Sequence, residues 1–281
     1  MAANVPGHFQ RDVSSWRRLA AATWRPANDP TIYGVLHVDA SRALATAAAL
    51  SERTGRHVTI THLVTSAVAR ALADHPECNA FVRHGRLYQR DCVDVFVLVA
   101  LPPPSDAADS RADLTGVKIT HADRKSVLEI ADELEQGARA VRTGRDPNFA
   151  RMKGLLQQTP AFLLGPILKL ITFAQYEMNL DLSRLGVPRD AFGGAFITNL
   201  GPLGIPCGFP PIVPVTRLAL NVAIGRVEDA PVAENGAVVV RPVLPLTATF
   251  DHRVIDGYQA GRLTQRFVEI LKDPERHLAL L

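Results

Sequence analysis

Thr249-Phe250-Asp251-His252-Arg253-Val254-Ile255-Asp256-Gly257 is the stretch on which the reading of this chain turns. It ends a β-prone run that begins at Val243, and beyond it Gln259 to Leu271 carries Leu263, Phe267, Ile270 and Leu271 at helical spacing. His252 therefore stands at a strand-to-helix junction, where an apolar run stops at a cluster of ionisable side chains. Imidazole is the side chain whose ordinary pKa lies near neutrality, so it can take a proton from a thiol or hydroxyl and return it within one turnover. Asp256 can hold the local backbone through a salt bridge or orient a catalytic group, and Gly257 permits a tight turn. On these residues alone, a structural histidine is the favoured reading over a catalytic one.

Working outward, the strands Ala195 to Leu200, Leu218 to Val227, Ala237 to Val243 and Leu246 to Phe250 precede the junction, and Asn235-Gly236 marks a hairpin between the second and third. Toward the N-terminus, Arg11 to Trp24 reads as a short helix and Thr31 to Asp39 alternates like a strand. Ala40 to Glu52 is helical and closed by Gly55, and Thr59 or Thr61 caps a helix running to Ala73. Ala80 to Arg83 and Arg86 to Gln89 form a hairpin about His84-Gly85, and Val93 to Leu101 is a buried strand. Val117 to Thr120 is a further strand, and Ser126 to Arg142 is an amphipathic helix with Val127, Ile130, Ala131, Leu134, Ala138 and Val141 on its core side. These elements describe one α/β unit with a mixed sheet flanked by helices.

Two stretches interrupt that pattern. Pro102 to Asp109 is a proline-rich polar loop that cannot join a sheet. In the segment Phe149 to Phe192, Ala161 to Phe173 is almost wholly apolar but is broken by Gly165, Pro166 and Lys169, and it falls short of the roughly 20 residues that cross a bilayer. It reads as a helical hairpin packed on the domain, as an oligomer contact, or as an interfacial membrane anchor; a transmembrane span is not expected.

Composition narrows the partners. The 281 residues are 47% hydrophobic and 21% charged, which suits a globular protein with a large core. The net charge of +3 comes from scattered Arg and Lys without interleaved aromatic residues, so nucleic acid is not an expected partner. Cys78, Cys92 and Cys207 lie far apart with no paired histidines at ligand spacing, which indicates neither a zinc site nor a disulfide framework and fits a reducing cytoplasm. Met1 to Arg18 lacks the apolar core of a signal peptide.

The block Asp251-His252-Arg253 with Asp256-Gly257, followed by a helix, resembles the signature of the acyltransferase component of 2-oxo acid dehydrogenase complexes. Gly193-Gly194-Ala195-Phe196-Ile197-Thr198-Asn199-Leu200-Gly201-Pro202-Leu203-Gly204 looks like a second block of that family, one residue shorter. Phe209 to Pro214, Ala219 to Arg226 and Val238 to Val243 follow in the family's order, and Val58 to Ala80 and Gly116 to Ser126 also look like their counterparts. The likeness spans most of residues 30–275.

The resemblance implies a chloramphenicol acetyltransferase-like fold and thiol-to-thiol acyl transfer. In that reading His252 is the general base for the thiol of coenzyme A or of a dihydrolipoyl group, and the hydroxyl of Thr198, where the family carries serine, stabilises the oxyanion. Asp256 supports the site through a salt bridge to an arginine near the N-terminus, with Arg17 and Arg18 as candidates; Asp251 and Arg253 fix the turn. The resemblance also implies homotrimers, or larger assemblies of trimers, in which His252 of one subunit faces Thr198 of the next.

No lipoyl or peripheral-subunit-binding domain is recognisable, so residues 1–281 are expected to be a single catalytic domain with insertions near 102–113 and 149–192. The dihydrolipoyl group is then expected from a separate lipoyl-bearing protein. Two other functions stay open: acyl-CoA-dependent acylation of a small alcohol or amine, and a non-catalytic scaffold subunit of a dehydrogenase complex.

Overall fold

A sheet of seven strands organises the chain from Thr31 onward in the structure, a computed structural model that describes residues 29–101, 113–143 and 160–281. The expected helix from Arg11 to Trp24 and the loop 102–109 lie outside the described residues. The strands are β1 (Thr31–Asp39), β4 (Val95–Leu101), β5 (Asp113–Ile119), β6 (Ala195–Asn199), β7 (Leu220–Ile224), β8 (Glu228–Glu234) and β9 (Ala237–Asp251); β2 (Ala80–Arg83) and β3 (Arg86–Gln89) form a separate hairpin. The sheet runs β1-β9-β7-β6-β4-β5, with β8 paired to the far half of β9. The β4–β6 and β6–β7 pairs are parallel and the other pairs antiparallel, so the sheet is mixed, as expected.

Alternation along the strands gives the sheet two different faces. Val38, Leu246, Phe250, Leu220, Ile224, Ile197, Val95 and Ile119 are buried toward the helices. There α2 (Ile60–Asp74) packs against α1 (Ser41–Thr54), α3 (Val127–Arg142) and α5 (Gly257–Lys272). Small and medium apolar side chains let α2 run through the middle of this layer: Leu63, Val64, Ala67, Ala71 and Leu72 are fully buried. On α5 the four residues at helical spacing, Leu263, Phe267, Ile270 and Leu271, are all buried, each worth about 1.5–3 kcal/mol of apolar burial. Thr59, not Thr61, is the N-cap of α2; its N–H donates to Nδ1 of His62, 3.0 Å away.

Two strand assignments from the sequence need correction. Asn235-Gly236 does turn a hairpin, with both residues at positive φ, but its first strand is β8. That strand, Glu-Asp-Ala-Pro-Val-Ala-Glu, lies at an edge with mostly exposed side chains, so it carries no apolar run to betray it, and β7 is correspondingly shorter than Leu218 to Val227. The runs Ala237 to Val243 and Leu246 to Phe250 are one continuous strand, β9, despite Pro242 and Pro245. Proline removes one donor without breaking the extended chain. Both prolines still accept through their carbonyls, from Ala40 N–H at 2.9 Å and Gly225 N–H at 2.8 Å.

The segment 149–192 is described from residue 160. Ala161–Thr172 forms helix α4 with Pro166 inside it, and Phe173–Glu177 continues it as one π turn. Phe162, Leu170 and Phe173 are exposed on it. Among the described residues no helix is long and apolar enough to cross a membrane.

Candidate active site

The turn after β9 is built by its own side chains. Asp251 is buried, and its carboxylate accepts from Arg253 N–H at 3.0 Å and from Arg253 Nη2 at 2.6 Å. This hydrogen bonding holds the Arg253 guanidinium above its ordinary pKa. The Asp251 N–H donates to Ala219 O at 3.0 Å, while its carbonyl accepts from Val254 and Ile255. Asp251 and Arg253 thus fix the turn as expected. His252 projects from it exposed, and its ring makes no hydrogen bond among the described residues.

Asp256 is the N-cap of α5. Its carboxylate accepts from Gln259 N–H, and Gln259 Oε1 accepts from Asp256 N–H, both at 2.9 Å. The capping box satisfies two of the donors that a helix start leaves unpaired. The expected partners Arg17 and Arg18 lie outside the described residues. Gly257 is the first residue of α5, without positive φ and with open space where a Cβ would stand, so the turn does not demand glycine there.

Thr198 lies on β6 on the face of the sheet away from the helices, and is buried. Its hydroxyl makes no hydrogen bond among the described residues. The glycines before the strand are required by close packing: Gly193 has φ +68°, and a Cβ on Gly194 would come within 2.0 Å of Asn79 Oδ1. Beyond it, Asn199 Nδ2 donates to Thr61 Oγ1 and Asn199 Oδ1 accepts from Gly201 N–H, each at 2.9 Å, tying the strand end to α2. The proline-rich segment then folds over this face. Asn221 Nδ2 donates to Pro211 O at 2.8 Å, Thr247 Oγ1 to Gly208 O, and Phe209 meets Tyr33 edge-on at 5.3 Å.

Sheet register separates the two candidate residues. Thr198 lies opposite Ala223, and Ala223 opposite Thr247, four residues before Asp251 on β9. At roughly 3.3 Å per residue along a strand and roughly 4.8 Å between strands, Thr198 and the turn holding His252 are on the order of 16 Å apart. One side chain is exposed and the other buried. The two do not meet within one chain.

The remaining chemistry of the molecule lies elsewhere. The cavity of about 80 Å³ between the sheet and α2 and α5, lined by Val68, Leu246, Phe250, Leu263 and Phe267, contains no titratable group. Burial pushes the Cys78 thiol up to about 12 and also raises Cys92, so neither is a ready nucleophile; Cys207 is exposed. No group of three or more metal-ligating side chains occurs among the described residues. A polar cluster escaped the sequence reading: Arg90 Nε donates to Asp190 Oδ2 and Tyr176 Oη to Asp190 Oδ1, each at 2.9 Å, and Arg217 Nη2 to Glu177 Oε1 at 2.9 Å. Its members come from positions up to 127 residues apart, as in the bond from Arg90 Nη2 to Arg217 O, so no local spacing announces them.

Residues 10–149 and 186–279 match the 2-oxoacid dehydrogenases acyltransferase (catalytic domain) family, and the chain belongs to it. Residues 150–185 fall outside the match. The dihydrolipoyllysine-residue acetyltransferase component of the acetoin cleaving system of Bacillus subtilis (strain 168) is 26% identical over 268 residues, 93% of this chain. The chain spans 55% of that relative's length.

Among solved structures, the cubic core of a pyruvate dehydrogenase multienzyme complex superposes with a TM-score of 0.63 at 21% identity, covering 98% of this chain and 99% of that one. A dihydrolipoamide acetyltransferase of Azotobacter vinelandii, studied for the role of a serine, a histidine and an asparagine in its catalytic mechanism, gives 0.62 at 22% identity over 89% and 84% of the two chains. The mixed sheet with flanking helices is the fold these structures share with the chain.

Proposed function

We propose that the chain transfers an acyl group between coenzyme A and a dihydrolipoyl-type thiol, at a site assembled between two copies of itself. The observation that carries this reading is the separation within one chain of two side chains suited to the reaction, both without hydrogen-bond partners among the described residues. His252 is an exposed imidazole on the turn that Asp251 and Arg253 hold. Thr198 carries a hydroxyl near the end of a buried strand. In the Azotobacter relative a serine and a histidine are among the residues whose catalytic role was studied; Thr198 and His252 supply the same two functional groups.

The chemistry follows from these groups. A thiol with a pKa near 8.5 is only slightly ionised at neutral pH. His252 takes its proton, the thiolate attacks the thioester carbonyl carbon, and the carbonyl π electrons move onto oxygen. The Thr198 hydroxyl donates a hydrogen bond to that oxyanion. Collapse restores the carbonyl and expels the second sulfur, which takes the proton back from the imidazolium. Atoms and charge balance without a metal or redox group. Asp256 positions the site by holding the start of α5 and makes no proton transfer.

Assembly as a homotrimer or an array of trimers brings the two residues together, and a lipoyl-bearing partner in the cytoplasm delivers the acyl carrier. Residues 1–281 act in this reading as one catalytic domain, with insertions near 102–113 and 149–192.

The test is to incubate purified protein with acetyl-CoA and longer acyl-CoAs, offering dihydrolipoamide or small alcohols and amines. Released coenzyme A is followed by chromatography, and total free thiol is followed alongside. Transfer to a thiol releases coenzyme A without changing total thiol, whereas transfer to an alcohol or amine raises it. His252→Ala is expected to lose about a hundredfold or more, the usual scale of acid/base catalysis. Undiminished turnover in that variant removes His252 from the mechanism, and no turnover by the wild type with any acceptor favours a scaffold subunit.

A further inference from the structure

A second cavity, of about 390 Å³, lies between α4, the β2–β3 turn and the residues just before β7, lined by His84, Lys169, Thr172, Phe173, Glu177, Pro214, Val215 and Arg217. Half of its lining comes from the stretch 150–185, which lies outside the family match.

Its charges do not cancel. Both oxygens of Glu177 are engaged, Oε1 by Arg217 Nη2 at 2.9 Å and Oε2 by the His84 N–H at 2.7 Å, and these bonds hold its carboxyl below the ordinary range. Arg217 therefore neutralises Glu177. Lys169 has no ion pair or hydrogen bond among the described residues, which leaves one uncompensated cation at the cavity. Arg217 Nη1 donates to Val82 O at 3.2 Å, but its Nε is buried without an acceptor. Phe173, Pro214 and Val215 supply an apolar wall, and the volume falls within the range of small-molecule sites.

We propose that this cavity binds a small organic anion, a carboxylate or phosphate monoester on a short apolar body. The charged group sits on Lys169, beside the Arg217–Glu177 pair, and the body lies on Phe173, Pro214 and Val215. Arg217 precedes by two residues Ala219, whose carbonyl holds the Asp251 N–H, so the cavity lies at the same end of the sheet as the His252 turn. The anion is therefore either a phosphate of coenzyme A or a separate metabolite. The site stands apart from the acyl-transfer reading, because binding is measured without turnover.

The experiment is calorimetric titration of the whole protein with inorganic phosphate, phenyl phosphate and hexanoate. Phenyl phosphate and hexanoate are expected to bind saturably and more tightly than inorganic phosphate. Lys169→Met, an exposed change that does not touch the Arg217–Glu177 pair, is expected to weaken both by tenfold or more, and Lys169→Arg to retain them. Competition by coenzyme A assigns the site to its phosphates, and binding undisturbed by coenzyme A assigns it to a separate anion. Absence of saturable binding, or equal binding in wild type and Lys169→Met, overturns the proposal.

Discussion

Complementation between two inactive variants is the sharpest consequence of the sheet register. His252→Ala is expected to lose about 10²–10⁴ in rate as a missing general base, and Thr198→Ala about 10²–10³ as a missing oxyanion donor. Within one chain the two positions are on the order of 16 Å apart, from four residues along β9 and two strand spacings. If each site takes His252 from one subunit and Thr198 from the next, random equal mixing of the two variants leaves both residues intact at about one site in four. Co-expression at equal levels should therefore restore about a quarter of wild-type coenzyme A release from two preparations that are each nearly inactive.

A second mixture distinguishes the geometries further. Wild type mixed equally with the His252→Ala/Thr198→Ala double variant should show, per total protein, about a quarter of the pure wild-type activity for a shared site, against about half for a site within one chain. Mixed oligomers that stay at the level of the single variants, or a double-variant mixture that keeps half, would refute the shared site.

Burial holds the His62 imidazole down to about 4, with His57 adding repulsion. The unfolded chain therefore binds a proton near pH 6.5 that the folded chain refuses. Stability is unaffected by this group above pH 6.5 and falls as pH drops toward 4, by up to about 3 kcal/mol. Urea titrations of wild type and His62→Gln across that range should show the smaller slope in the variant, which keeps an acceptor for Thr59 N–H; equal slopes would remove His62 as the cause. Asp256→Ala should cost about 1 kcal/mol of stability by removing the cap of α5, with Asp256→Asn nearly neutral in thermal unfolding. Gly225→Ala should cost about 3 kcal/mol of stability and lower the urea midpoint, because its Cβ would stand 2.0 Å from the backbone oxygen of Pro206.

The sequence revealed those parts of the fold whose side chains report on their own surroundings. Leu263, Phe267, Ile270 and Leu271 repeat at helical spacing because one side of α5 is buried, and Asn235-Gly236 turns a hairpin because both residues tolerate positive φ. The acidic strand β8 was invisible, since an exposed edge strand is specified by its partner's backbone and not by its own pattern. Pro242 and Pro245 hid the continuity of β9 for the complementary reason: the strand tolerates them where its carbonyls do the bonding.

At the candidate site, the motif residues His252 and Thr198 were legible as types. Their separation became visible only through the register linking β6, β7 and β9. The Arg90–Asp190–Tyr176 cluster joins three distant segments, and nothing in local spacing marks such a meeting.

The position of β9 between β1 and β7 also governs how the chain is born. Asp39 at the end of β1 pairs with Val243, and Leu220 on β7 with Phe250, so the sheet cannot close until the last strand has emerged. At about 5–20 residues per second, β1 waits roughly 10–40 s after its own synthesis for its only sheet neighbour among the described strands. β7, which ends at Ile224, joins β1 only for roughly the last 1–5 s of that interval, and until β9 arrives the two have no strand between them to cover their apolar side chains.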